Sequence, residues 1–423
     1  MKIHPRQPIV ISFLLAGVLA TAGHSQKQLP LTSKSEEAKN YYRETVKGIE
    51  SFEPFRKVQA LAQKSVQADS NFAMGQLLVA VFTPAKDRQP ALDKALKLAA
   101  KASPGEQLFV EATTQALNNN NEKAIAILTK LRKDYPGERR ICMVLGQLHQ
   151  QLGQYAEAIR FYEAAIKIDG NSARVYSQLG DSHLLQEQYA KAREYYQLAL
   201  SKVSAEASPF APFSGLALTS IYENKPDQAL EMMQEFHSRY RRNGSAENFP
   251  DVWIWNYMGR VNLEFGRLEE ALKCYETGYR SVPGSALDSI EKKIWFGRVF
   301  HGKARTLAKM GRHGEAQQYA DQIKMMIETG GERGEEFWKA YHYLAGYLKL
   351  ESGDSEAAAE HLEKSDQDDP FQKLLLAKAN LKLGNKSQAL DICREIVKST
   401  NNNLDRALSY PEAKKILAAA GTY

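Results

Sequence analysis

Residues 139–172, RRICMVLGQLHQQLGQYAEAIRFYEAAIKIDGNS, and residues 173–204, ARVYSQLGDSHLLQEQYAKAREYYQLALSKVS, are two copies of one pattern. Leu145-Gly146 recurs as Leu179-Gly180, Tyr155 as Tyr189, Ala158 as Ala192, Tyr162 as Tyr196 and Ala165 as Ala199, each 34 residues later. Within a copy the apolar residues take helical spacing twice. Ile141, Leu145, Leu148 and Leu152 mark one amphipathic helix, Gly153 interrupts, and Ala158, Phe161, Tyr162 and Ala165 mark a second. The unit is a helical hairpin in which Gly146 and Ala158 let the two backbones approach while Tyr162 fills the space beside them. One hairpin cannot bury its own apolar face. Copies must stack, and a small rotation between neighbours accumulates into a superhelix with a concave inner surface.

This pattern resembles the tetratricopeptide repeat family, whose signature pairs Leu-Gly in the first helix with Ala, an aromatic and Ala in the second. Less regular copies extend it in both directions. Trp255, Gly259, Gly266, Ala271, Tyr275 and Pro283 form one, and Gly346, Gly353, Ala358 and Pro370 another. Ala229, Ala316 and Ala389 anchor three weaker ones, and Ala124 with Pro136 marks one upstream. Residues 41–70 and 71–104 keep only the helical periodicity and a closing turn. The resemblance implies an all-α fold, a right-handed superhelical α-solenoid of about nine hairpins with a C-terminal capping helix at Pro411–Ala420. The chain divides into a signal peptide (1–22), a flexible mature N-terminus (23–35), divergent hairpins (36–104), the best-defined repeats (105–204), repeats with longer helices or loops (205–400), and a capping helix and tail (401–423). The longer elements follow from the anchors Ala192, Ala229, Ala271 and Ala316, which drift to separations of 37, 42 and 45 residues. Insertion loops are expected at 241–251, 283–289 and 328–335.

The amino terminus reads as an export signal. Lys2 and Arg6 supply positive charge, Ile9 to Ala22 is almost wholly apolar, and Ala20-Thr21-Ala22 offers small residues for cleavage before Gly23. The competing reading is an uncleaved anchor, but the run is 14 residues, against roughly 20 for a spanning helix. No cysteine lies near the cleavage region to accept a lipid. The sequence therefore predicts a periplasmic or secreted protein without a stable membrane anchor. With 56 basic and 50 acidic residues interspersed in the 423, no polybasic run points to nucleic acid. Cys142, Cys274 and Cys393 are too widely spaced to spell a metal cluster or a disulfide framework.

The family resemblance implies that partners, proteins or peptides, lie in the concave groove against the first helix of each repeat. Carried onto this sequence, those positions are Arg140, Gln147, Arg174, Trp253, Asn256, Arg260, Arg298, His301, Arg305, Lys309, Tyr343, Tyr347 and Lys378. Arginines and aromatics recur among them, which suits an extended segment bearing carboxylates. The carboxylate-clamping subset of the family has a lysine and asparagines where this chain has Met143, Gln147 and Gln178, so that subset is disfavoured.

Other motifs read as structural. His149 and His183 share a repeat position that the family fills with a packing aromatic. Gly330, Gly331 and Gly334 precede no lysine-serine pair, and Asp366, Asp368 and Asp369 lack the glycine and glutamate of a calcium loop. No cofactor, metal set or catalytic constellation is legible. The leading expectation is a non-enzymatic interaction scaffold of the bacterial envelope. The alternative is an exported glycan- or nutrient-binding protein on the same scaffold.

Overall fold

The computed structural model describes residues 27–204, 207, 209–242, 250–329 and 334–421. The predicted signal peptide lies outside these residues, as do 243–249 and 330–333 of two expected insertion loops. The described chain is helical, and its helices pair in sequence. Glu36–Glu50 (α1) pairs with Phe55–Ala68 (α2), Ala73–Phe82 (α3) with Gln89–Ala99 (α4), and Pro104–Leu117 (α5) with Asn121–Asp134 (α6). Then come Arg139–Gln151 (α7) with Tyr155–Ile168 (α8), and Ala173–Leu185 (α9) with Tyr189–Ser201 (α10). Phe210–Tyr222 (α11) pairs with Pro226–Arg242 (α12), Asp251–Glu264 (α13) with Leu268–Ser281 (α14), and Ser289–Lys309 (α15) with His313–Glu328 (α16). Gly334–Glu351 (α17) with Ser355–Glu363 (α18) and Pro370–Lys382 (α19) with Lys386–Lys398 (α20) complete the series before Leu404–Ala419 (α21). Against about nine expected hairpins, the described residues hold ten.

The turn inside a hairpin is built the same way in nine of them. The second residue after the first helix takes a left-handed φ: Gly153, Gly266, Gly311, Gly353 and Gly384, and also Phe52, Asn119, Glu187 and Asn224. The amide one residue further on donates to a carbonyl five residues back, as Gln154 does to His149 and Gln188 to His183, closing the helix end in a Schellman motif. The α3–α4 connection departs, using a 3-10 turn at Ala85–Asp87.

The Leu-Gly and Ala-Tyr-Ala positions do what their sizes dictate. Tyr162, Tyr196 and Tyr275 are almost fully buried. A Cβ on Gly146 or Gly180 would come within 2.5 or 2.6 Å of the ring of Tyr162 or Tyr196. Tyr196 is also pressed by Gly215 of the following hairpin, and Tyr275 likewise lies between Gly259 and Gly302. The rings of Tyr196 and Tyr275 are thus wedged between the first helices of their own and the next repeat. The drift in repeat length comes from helices and connections alike: α12 has 17 residues and α15 21, and the stretches 202–209, 243–250 and 282–288 are longer than the one between α8 and α9.

Residues 27–33, within the segment expected as a flexible lead-in, lie as a strap against the array, and one expectation about the other end is corrected. The Leu29 amide donates to Glu138 (3.2 Å) and the Thr32 amide to Glu106 (2.8 Å); Gly137 donates to the Lys27 carbonyl (3.1 Å). Glu106 is completely buried while also closing a capping box with Ser103, and the strap adds donors to that buried carboxylate. The terminal helix begins at Leu404 rather than Pro411 and carries Pro411 inside it. Asn403 caps it by accepting from the Arg406 amide (2.9 Å), and burial of Ala407, Tyr410, Ala413 and Leu417 offsets the missing proline donor.

Candidate functional site

First helices of successive repeats line the concave face. They pack side by side from α1 to α11 and again from α13 to α19, and α11 and α13 are the adjacent pair that pack least closely. The C-terminal helix α21 packs against α19 and α20 and also against α11. Ala407 and Tyr410 belong to one apolar cluster with Leu184, Phe213, Ile221, Met258 and Val261. The capping helix therefore covers the last hairpin and at the same time fills the middle of the concave face.

Polar side chains fix it there. Asn402 donates to Asp181 (2.8 Å), Tyr410 and Lys414 donate to Glu187 (2.6 and 2.8 Å), and Arg406 donates to the Tyr222 hydroxyl. Asp405 pairs with Arg260 at 3.1 Å. Burial raises the Asp181 carboxyl to about 6, against the pull of Tyr196 and Asn402, which both donate to it.

The amino-terminal hairpin makes a corresponding return contact, with α1 packing against α9. Arg139 pairs with Glu50 and with Asp169. Arg174 donates from Nε to the Ile49 carbonyl (2.8 Å), and its guanidinium lies 4.9 Å from the centre of the Phe52 ring.

Most of the expected groove residues are therefore engaged within the molecule rather than displayed to a partner. Arg140 chelates Glu138 (2.6 and 2.8 Å), donates to Tyr42 and stacks on Phe109. Arg260 lies on Phe371 and pairs with Glu264 (3.2 Å) as well as Asp405. Arg305, 5% exposed, donates to Tyr343 (2.7 Å) and pairs with Glu264 (3.5 Å), which also draws Lys309 to 3.7 Å. Tyr343 and Tyr347 are buried beneath it. The His301 ring meets that of Tyr343 at a tilt, and burial, together with Arg305 and Arg260, holds its imidazole well below the usual range. Trp253 meets Phe210 edge to face, while Asn256 and Lys378 are half-buried. Gln147 and Arg298 are exposed, and Arg298 lies over Trp295. The acidic complement expected of a partner is supplied for the arginines at 140, 260 and 305 by the chain's own Glu138, Glu264 and Asp405.

Between these two return contacts a cavity of about 410 Å³ remains. Gln147, Gln150 and Gln151 of α7 form one wall, and Arg174, Ser177, Gln178 and Asp181 of α9 form another. Phe52 lies at one side, and Thr400, Asn401 and Asn402 lead into α21 at another. Asp181 falls at a groove-facing position expected of α9, whereas Phe52, Asn402 and Glu187 were outside the expected site. Their signal was faint: Phe52 and Glu187 occupy the turn position that glycine or asparagine fills in the other hairpins of this type.

The remaining motifs are placed as follows. His149 stacks on Phe161 and His183 on Tyr195, each sharing its Nδ1 with the glutamine five residues on. Asp366 accepts from the Asp368 amide and Asp369 caps α19. Of the glycine-rich loop, Gly330 and Gly331 fall outside the described residues and Gly334 opens α17. Among the described residues the three cysteines are free, and no cluster of metal-ligating side chains is present.

A tetratricopeptide repeat family model matches residues 115–177 and 149–207. No curated protein matches the sequence. Among solved structures, the C-terminal part of a tetratricopeptide repeat-containing protein from Cytophaga hutchinsonii is 14% identical, with 67% of this chain and 98% of that one covered at a TM-score of 0.42. The type IV pilus biogenesis factor PilW is 14% identical, with 55% and 97% covered at 0.40. PilF of Pseudomonas aeruginosa is 17% identical, with 51% and 96% covered at 0.32.

Proposed function

The chain is a tetratricopeptide repeat protein, and from that premise we propose that it is a non-enzymatic interaction scaffold of the bacterial envelope that takes extended segments of partner proteins on its concave face. The observation that carries this reading is intramolecular. Residues 399–403 and α21 lie across first helices and are held by Asp181, Glu187, Tyr222 and Arg260. A foreign segment bearing amides, hydroxyls and carboxylates meets the same groups, in competition with the chain's own end. Work in the envelope is supported by the charged and apolar pattern of residues 1–22. Among the described residues no helix is long and apolar enough to cross a membrane.

The arginines at 260 and 305 are poor probes of this reading, because reversing them strands Glu264 and Asp405 in the interior. The test is cross-linking in the envelope fraction with three chains: wild type, Gln147→Arg with Gln151→Arg on the exposed lip, and Lys414→Glu, which loosens α21 from Glu187. Partners should be fewer with the lip variant and more abundant with Lys414→Glu. An identical partner set and yield from all three sinks the assignment.

A further inference from the structure

The cavity between α7 and α9 shares Asp181 and Asn402 with the contacts that hold α21 and adds chemistry of its own. Arg174 is the decisive residue. The guanidinium groups at 139, 140, 260 and 305 each meet at least one carboxylate. Arg174 has the Ile49 carbonyl on Nε and the Phe52 ring beside it. Its two terminal nitrogens have no hydrogen-bond or ion-pair partner among the described residues, and the residue lines the cavity. Burial holds its guanidinium below the usual range against the pull of the Glu50 carboxylate, and its planar fork of N–H groups fits one further carboxylate bidentately.

The rest of the lining defines what that carboxylate is attached to. The Ser177 hydroxyl and one polar atom each of Gln178 and Asn402 are buried with no hydrogen-bond partner. Native interiors rarely leave such atoms unmet. Gln147, Gln150, Gln151 and Asn401 add further carboxamides, each both donor and acceptor. Asp181 lies seven residues beyond Arg174 on the same helix, about 10 Å along its axis by the helical rise. A polyanion facing Arg174 is opposed by that carboxylate, whereas a hydroxyl donates to it. Alternating donor and acceptor demands on planar amides are met by hydroxyl groups, which serve as both. The volume, about 410 Å³, falls at the lower end of the usual range for small-molecule sites, roughly 300–1,000 Å³.

Phe52 closes one side of the cavity, its ring 4.9 Å from the Arg174 guanidinium.

We propose that this cavity binds a compact polyhydroxylated carboxylate, of the sugar-acid class, with the carboxylate on the Arg174 fork and hydroxyls shared among the Gln147, Gln178, Asn401 and Asn402 carboxamides and Asp181. The test is independent of partner capture, since a titration with a small molecule requires no second protein.

The experiment is calorimetric titration of the full mature chain with D-glucuronate, D-galacturonate and D-gluconate, alongside D-glucose, acetate and inorganic phosphate. At least one sugar acid should bind ten-fold or more tightly than glucose, acetate and phosphate. Arg174→Gln should weaken it at least ten-fold, and Gln178→Met several-fold with an unchanged melting temperature in the absence of ligand. Silence toward all three sugar acids overturns the proposal, as does an equal response to acetate or phosphate. Should Arg174→Gln fail to fold, Gln178→Met decides, and undiminished binding there overturns it.

Discussion

At the residue scale this protein is governed by pairs in which one side chain must be small so that another can be large. Tyr196 sits between Gly180 and Gly215, so a methyl at either glycine has nowhere to go without moving a first helix. Gly215→Ala should destabilise the chain by about 1–3 kcal/mol, the usual penalty for overpacking a core, read from the denaturant midpoint. Tyr196→Leu added to it should recover part of the loss. A single substitution with an unshifted midpoint contradicts the wedge. Asp181 gives a pH prediction. Its native carboxyl is raised to about 6 from an ordinary 3.8, so the folded state binds this proton more tightly than the unfolded state does. Stability associated with it is present below pH 4 and is lost as pH rises through 6. Asp181→Asn keeps an acceptor for Tyr196 without the buried charge, so it should match wild type near pH 4 and exceed it at pH 7. Parallel stability curves across that range would contradict the burial argument.

At the element scale the informative structure is the left-handed turn position. Five of the nine such positions are glycine and two are asparagine, which together are the residues that tolerate it best. Asn224→Gly should therefore be neutral or stabilising by up to about 1 kcal/mol, measured by chemical unfolding. The two exceptions, Phe52 and Glu187, are the residues whose side chains reach an element that is not their neighbour in sequence: Phe52 to Arg174 on α9, Glu187 to Tyr410 and Lys414 on α21. Glu187→Gly relaxes its backbone yet removes the acceptor of two donors on α21. Amide exchange should accelerate across 404–419 in that variant, and unchanged protection there contradicts the tether. This contrast also explains what the sequence disclosed. The hairpins were legible because Leu-Gly, Ala and Tyr recur at 34 residues, a local signal repeated in register. The closing contacts were not, because Asn402 with Asp181 or Lys414 with Glu187 are unique pairs 221 and 227 residues apart, which no period announces. The candidate site was half legible for the same reason: Gln147 and Arg174 follow from repeat position, whereas Phe52 and Asn402 arrive from the two ends of the chain.

At the scale of the whole molecule the array departs from the nearest-neighbour arrangement of repeat proteins, in which each unit touches only those beside it. Both chain ends return to α9. Cutting α21 loose should therefore be felt in the middle of the array as well as at its end. With Lys414→Glu and Asp405→Ala combined, exchange protection should fall in α9, α11 and α13 as well as in α19 and α20. A loss confined to the last two helices shows that the array behaves as a simple stack.

The double return to α9 also sets an order of events during synthesis. The hairpins on either side of Arg174 emerge and can stack early, since their contacts are local. Their inner face acquires Asn402 and Tyr410 only after roughly two hundred more residues have been made, a long loop to close. The centre of the molecule is thus the region that waits longest for its final partners. A refolding chain should protect the first-helix amides of α9 and α11 in a last, slow step, timed by the arrival of its own tail.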